Sequence, residues 1–286
     1  MSDWGPWDRI LVRHAAPAFE SQARVDAEWR ALNFTAAPDY LAATRQHDAF
    51  IDILRSAAPV HVVDRSPEGL TLDAIYVRDA SIVTPRGAIL CRMGKAARQS
   101  EPAALAAEYA AIGVPILGTI EPRGQLEGGD FTWLAPRVAA VGRGYRTNDA
   151  GIEQLRALLA DDVDELIVVP LPHYRGPDDV FHLMSIVSPV DRDLAVVYSP
   201  LMPVPFRERL LALGFTLVEV PDDEFETMGA NVFAMAPRRV VMVDGNPKTR
   251  GALERAGAEV AVYDGSEISA KGCGGPTCLT RPLPRG

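Results

Sequence analysis

Five polar residues recur in phase along the chain: Asp79, Asp130, His182, Asn231 and Cys278, separated by 51, 52, 49 and 47 residues. A repeat of about fifty residues means one supersecondary unit copied around an axis. Each copy then delivers its residue to a common centre. A thiol, an imidazole and carboxylates stand among the five, and these side chains serve nucleophilic and acid–base chemistry. The first expectation is therefore a catalytic cavity on a pseudosymmetry axis.

The apolar runs give the repeat its content. After Asp79 come Ser81 to Thr84, Ala88 to Met93, an Ala-rich helical stretch from Pro102 to Ile112, and Val114 to Ile120. After Asp130 the order returns as Phe131 to Leu134, Val138 to Gly142, a helix around Ala150 to Leu159 capped by Asn148 or Asp149, and Leu166 to Leu171. A third copy begins at Phe181 and continues through Leu194 to Tyr198, a helix from Pro205 to Leu213 started by its proline, and Phe215 to Val220. The fourth runs Val232 to Ala236, Val240 to Val243, a helix from Pro247 to Ala256, and Val260 to Tyr263. Cys278 to Leu283 joins Ile10 to Val12, a helix within Tyr40 to Ala57, and Val60 to Val63 to make the fifth unit. The expected fold class is α/β, a five-fold pseudosymmetric propeller of ββαβ units closed by both termini, with residues 1–286 forming one catalytic domain that shares a continuous core.

Composition narrows the function classes. A net charge of -9 argues against nucleic acid as partner, since phosphate binding needs a basic surface. No apolar run approaches the ~20 residues of a membrane span, and no signal peptide is visible. Three cysteines argue against a disulfide framework and fit a reducing compartment, so a soluble cytoplasmic protein is expected. Nothing in the sequence excludes a homo-oligomer. Cys273 and Cys278 match no zinc spacing; neither a metal nor a cofactor is expected. Two segments lack strand patterning. Ala15 to Pro38 reads as a long loop, either a cover for the cavity or surface decoration, and Pro172 to Val180, just before His182, reads as a cavity wall or a plain turn.

Cys278 follows Gly274-Gly275-Pro276-Thr277, where glycines admit close approach of backbone to ligand. Cys91, inside Ile89-Leu90-Cys91-Arg92, suits the ordinary role of cysteine as a small buried hydrophobe. His182 stands among apolar neighbours, a setting in which a lone histidine is usually a core residue; its phase with Cys278 favours catalysis. Glu127-Gly128-Gly129-Asp130 then offers carboxylates that orient the imidazole.

These segments, with Leu72-Asp73-Ala74-Ile75-Tyr76-Val77-Arg78-Asp79, Gly144-Tyr145-Arg146-Thr147-Asn148 and Phe181-His182-Leu183, resemble the guanidino-group-modifying enzymes of the pentein fold. That superfamily holds dimethylarginine dimethylaminohydrolases, arginine deiminases and amidinotransferases. The resemblance implies Cys278 as nucleophile, His182 as general acid and then base, and Glu127 as the carboxylate that holds His182. It implies Asp73, Asp79 and Asp130 as acidic substrate-binding positions, the first two at the guanidine end, and Arg98 and Arg146 as the grip on a substrate carboxylate, for which a guanidinium fork suits bidentate contact. Arginine deiminases carry an aspartate two residues after the catalytic histidine. This chain has Met184 there, which removes one anchor for a bare guanidinium and suits an alkylated one.

The implied substrate is a small guanidino amino acid, arginine or an N-substituted arginine, hydrolysed to citrulline through an S-alkylthiouronium on Cys278. An arginine deiminase or dihydrolase, an amidinotransferase, in which an amine replaces water, and a catalytically silent pentein that acts as a binding protein are the alternatives.

Overall fold

In the computed structural model, residues 1–65 and 67–283 are described. Strand β1 (Arg9–Arg13) leads through helices α1 (Ala15–Phe19), α2 (Gln22–Glu28) and α3 (Tyr40–Arg55) to β2 (Val60–Val63). The next three units have one plan: β3 (Ser81–Thr84), β4 (Gly87–Leu90), α4 (Glu101–Ile112) and β5 (Ile116–Thr119); β6 (Phe131–Ala135), β7 (Val138–Arg143), α5 (Asp149–Leu158) and β8 (Glu165–Pro170); β9 (Val187–Asp191), β10 (Leu194–Val197), α6 (Val204–Ala212) and β11 (Thr216–Glu219). A short α7 (Asp222–Phe225) precedes β12 (Phe233–Ala236), β13 (Arg239–Val243), α8 (Pro247–Arg255) and β14 (Glu259–Tyr263), and β15 (Arg281–Leu283) follows.

The described strands form five three-stranded sheets. In each, the middle strand pairs antiparallel with one neighbour and parallel with the other, as β7 does with β6 and β8. Parallel pairing needs a crossover, and the helix of each unit supplies it. The fifth sheet is made from both chain ends, with β1 antiparallel to β15 and parallel to β2.

Local chemistry explains why these helices form. Asp39 accepts the Ala42 amide at 2.7 Å and opens α3, whose buried residues Ala43, His47, Phe50, Ile51 and Leu54 recur at helical spacing. Burying one such phenylalanine or leucine stabilises the fold by roughly 1.5–3 kcal/mol. Asn148 caps α5 by accepting the Gly151 amide at 2.9 Å. Side chains from successive units pack into shared clusters: Leu134, Leu183, Val196 and Val240 lie in one, Trp7, Phe50, Val241 and Leu279 in another. No helix among the described residues is long and apolar enough to cross a membrane.

Three boundaries differ from expectation. The third unit's first strand begins at Val187 rather than Phe181, because Leu183–Ser185 forms a 3-10 turn in which the Ser185 hydroxyl accepts the His182 amide at 3.1 Å. Of the stretch from Cys278 to Leu283, only Arg281–Leu283 is strand, and the preceding residues turn. Ala15 to Pro38 is not an irregular loop: it holds α1 and α2, too short for apolar periodicity to show, with α1 capped by the His14 ring accepting the Ala16 amide at 3.1 Å.

Candidate active site

Each in-phase residue stands just before the first strand of a unit, and four of the five, Asp79, His182, Asn231 and Cys278, line one cavity of about 350 Å³. Backbone bonds fix the walls to one another. The Arg78 amide donates to the Cys278 carbonyl at 3.1 Å, and the Gly128 amide donates to the Asp79 carbonyl at 2.8 Å.

His182 Nε2 is 2.7 Å from Glu127 Oε2, and its Nδ1 is 3.8 Å from Asp79 Oδ1. Glu127 is fully buried, and its other oxygen accepts the amides of Gly94 and Lys95 at 2.9 and 3.1 Å. Burial alone would lower the His182 pKa, but Asp79, Asp130 and Glu127 outweigh it and raise the imidazole to about 9. Burial likewise disfavours the Glu127 carboxylate, yet the His182 hydrogen bond and charge hold it below its ordinary value. The pair is therefore an imidazolium bound to a carboxylate at neutral pH. Gly129 makes room for it: a Cβ there would lie 2.6 Å from both Asp79 Oδ1 and His182 Nδ1. Asp79, Glu127 and His182 also present oxygen and nitrogen atoms within 4.8 Å of one another, but both Glu127 oxygens already accept hydrogen bonds, so the arrangement suits proton handling.

Cys278 Sγ lies 3.5 Å from Asn231 Nδ2, and Asn231 Oδ1 in turn accepts the Thr277 amide at 3.0 Å and its hydroxyl at 2.6 Å. Burial, reinforced by Asp79, pushes the thiol up to about 11. Gly274 permits the backbone to pass Tyr76, whose ring a Cβ would overlap, while the Tyr76 hydroxyl donates to the Ile268 carbonyl at 3.1 Å. No hydrogen bond joins Cys278 to His182 among the described residues; both face the same space, as two groups acting on a ligand between them would.

Asp73, Arg146 and Met184 also line the cavity. Asp73 is 2.6 Å from Lys95 Nζ, which also donates to the Leu32 carbonyl at 2.6 Å. Of the expected substrate contacts, Asp130 does not line the cavity: it is fully buried, accepting the Thr147 hydroxyl at 2.6 Å and the Leu183 amide at 3.0 Å, and so props the His182 segment. Arg98 lines the cavity and is also held within the protein: it binds Glu101 with Nε and Nη2 at 2.8 Å each, Asp79 Oδ2 at 2.6 Å and the Tyr76 carbonyl at 2.9 Å. Arg146, on the same wall, has Glu127 as its nearest carboxylate at 3.6 Å.

Cys91 is buried, and burial raises its thiol far above the ordinary range; Cys273 is exposed at the cavity. Lys95 escaped sequence reasoning, for a lone lysine carries no pattern, although it is one of three in the chain. The segment after α2 contributes Leu32, Asn33 and Thr35 to the wall, and the Pro172–Val180 stretch contributes Tyr174 and Arg175.

The profile of the arginine deiminase family matches residues 72–211 and 205–285. The chain belongs to that family. Within it, a dimethylarginine dimethylaminohydrolase of Streptomyces coelicolor is 30% identical over 276 residues, covering 96% of each chain. An arginine deiminase of Mycobacterium avium is 33% identical over 190 residues, covering 56% of this chain and 46% of its own length. The structure of DDAH from Pseudomonas aeruginosa in complex with citrulline superposes with a TM-score of 0.79 at 24% identity, covering 98% of this chain and 100% of that one. The fold is that of the penteins, as the repeat implies.

Proposed function

We propose that the protein is a cysteine-dependent hydrolase that removes an amine from an N-substituted arginine to give citrulline. The observation that carries this reading is the cavity itself, which faces a thiol, an imidazolium–carboxylate pair and a buried, unpartnered carboxylate oxygen, Asp79 Oδ1, towards one another. Asp79 Oδ1 takes an N–H of the guanidinium, whose charge brings a cation beside a thiol that is otherwise neutral at pH 7. The thiol proton leaves to solvent. Cys278 Sγ attacks the guanidinium carbon, and a C–S bond forms.

His182, already protonated, gives its proton to the departing amine nitrogen as the C–N bond breaks. The neutral imidazole then takes a proton from water, hydroxide adds to the thiouronium carbon, and the C–S bond breaks as the hydroxyl proton is lost, which releases the neutral ureido product and returns Cys278 to its protonated form. Glu127 keeps the ring oriented and stabilises its charge through both steps. Arg146 meets the substrate α-carboxylate. The scheme needs neither a metal nor an organic cofactor. A cytoplasmic location, where its three thiols stay reduced, suits this scheme, as does one catalytic domain acting on a small molecule.

Met184, on the cavity wall, favours an alkylated over a bare guanidinium, and the near-complete overlap with the Streptomyces coelicolor protein supports the same choice. Incubation with arginine, mono- and dimethylated arginines, agmatine and citrulline, with mass detection of products, tests it: a methylarginine should give citrulline and methylamine faster than arginine gives ammonia. Release of ammonia from arginine at an equal or higher rate would make the protein an arginine deiminase.

A further inference from the structure

The five in-phase residues are preceded by Arg78, Gly129, Phe181, Ala230 and Thr277, and Arg78 alone of these bears a charge. It is 2% exposed and stands off the cavity wall. Its bonds run instead to the turn that carries the nucleophile: the Arg78 amide donates to the Cys278 carbonyl at 3.1 Å, and its Nε donates to the Thr277 carbonyl at 3.0 Å. Nη1 lies 3.4 Å from Asp3 Oδ1, the one carboxylate paired with Arg78 among the described residues. Asp3 is fixed in turn, since its Oδ2 accepts the Thr132 hydroxyl at 2.8 Å and the Trp133 amide at 2.7 Å.

A joint between units needs no charge. The carbonyl before Asn231, that of Ala230, is the counterpart in the fourth unit of the Thr277 carbonyl, and the neutral Ser188 hydroxyl holds it at 2.7 Å. Burying a guanidinium with its carboxylate costs desolvation that their attraction often fails to offset, so stability alone does not call for an arginine where a hydroxyl serves. Resting on the proposed function, we infer that Arg78, steadied by Asp3, is a positioning residue for Cys278: it fixes the turn that carries the thiol and brings a permanent positive charge to the base of that turn. Burial and then Asp79 disfavour the thiolate, and the Arg78 charge works against both, together with the hydrogen bonds from Asn231 and Thr277. Unlike the charge of a substrate guanidinium, it is present before any ligand binds.

Arg78→Gln alone would strand Asp3, so the test uses Asp3→Asn/Arg78→Gln, which removes both charges, beside Arg78→Lys, which keeps the charge and gives up the fork. Alkylation by iodoacetamide at pH 9, with the Cys278 peptide followed by mass spectrometry, reads thiolate formation without any substrate. It should slow about ten-fold in the double variant, as the thiolate share falls, and stay within about three-fold of wild type in Arg78→Lys. With a methylarginine as substrate, both variants should lose kcat roughly ten- to a hundred-fold, as a misplaced reacting group does, at a KM close to wild type. Alkylation as fast in the double variant as in wild type, alkylation as slow in Arg78→Lys as in the double variant, or a loss carried in KM overturns the role of Arg78. Should the double variant not fold, Arg78→Lys decides alone, and an unchanged kcat overturns the proposal. If wild-type protein turns over no guanidino compound while the alkylation contrast holds, the proposed reaction fails and the role of Arg78 at the thiol stands.

Discussion

Arg98 Nη1 lies 2.6 Å from Asp79 Oδ2, and the other oxygen of that carboxylate is buried without a partner. Arg98 thus fixes which Asp79 oxygen is left for a ligand. Removing one member of a buried ion pair strands the other, at a cost of roughly 3–5 kcal/mol. Arg98→Gln should therefore lower the unfolding free energy, read by denaturant titration, by that order, together with loss of turnover. If stability is unchanged and only the KM for carboxylate-bearing substrates rises, Arg98 touches the substrate instead.

Cys278→Ser should leave the fold intact and abolish turnover, whereas Cys91→Ser and Cys273→Ser should retain most of it. The contrast follows from surroundings: Cys278 faces the cavity beside Asn231, Cys91 is packed in the core, and Cys273 is exposed. Steady-state assays of the three variants decide the matter, and residual turnover by Cys278→Ser above a thousandth of wild type would speak against a covalent route.

The pH behaviour has two readouts. With its thiol raised to about 11, the free enzyme should react slowly with neutral iodoacetamide at pH 7 and faster as pH climbs past 9, while a cationic haloacetamidine, which brings its own charge, should react at neutral pH. A midpoint below pH 8 with the neutral reagent would contradict this. For stability, His182 titrates at about 9 when folded against 6.5 otherwise, so its contribution is whole below pH 6.5 and disappears as pH rises through 9. Glu127 is held below its ordinary 4.5, so its contribution is present above that value and is lost as pH falls. Chemical denaturation of wild type and His182→Ala across this range should converge at high pH.

Met184→Asp should move preference toward free arginine. An added carboxylate on the cavity wall supplies a hydrogen bond to a charged group, about 1.5–3 kcal/mol or roughly ten- to a hundred-fold in kcat/KM ratio. An unchanged ratio of arginine to methylarginine turnover would remove Met184 as selector.

Gly129→Ala should inactivate the enzyme, because the new methyl would meet Asp79 Oδ1 and His182 Nδ1 at 2.6 Å. Ring resonances of His182 in a nuclear magnetic resonance titration would show the displacement; an undisturbed ring would mean that the wall yields.

The sheets and the in-phase residues were legible in the sequence because each unit buries its strands between turn residues, so apolar runs and repeat spacing report on the same fact. The helices of the Ala15–Phe19 and Gln22–Glu28 stretch were not, since one or two turns show no period and are held by caps and by contacts far along the chain, such as the Thr35 amide on the Lys271 carbonyl at 2.8 Å. Asp130 stands in phase with the other four residues but lies off the cavity, and Arg98 reaches the cavity already bound to Glu101 and Asp79. Spacing brings a charged side chain to the right wall, but whether its hydrogen bonds point inward or are absorbed by Glu101, Thr147 and Leu183 depends on neighbours that only the folded chain assembles.

The first and last strands pair with each other, and Arg78 reaches across 199 positions to the Thr277 carbonyl at 3.0 Å. The complete site, from Asp79 to Cys278, therefore needs both ends of the chain. The same geometry makes the protein a natural split reporter: two halves cut in an exposed turn, each inert alone, should regain hydrolysis only when brought together to complete the circle.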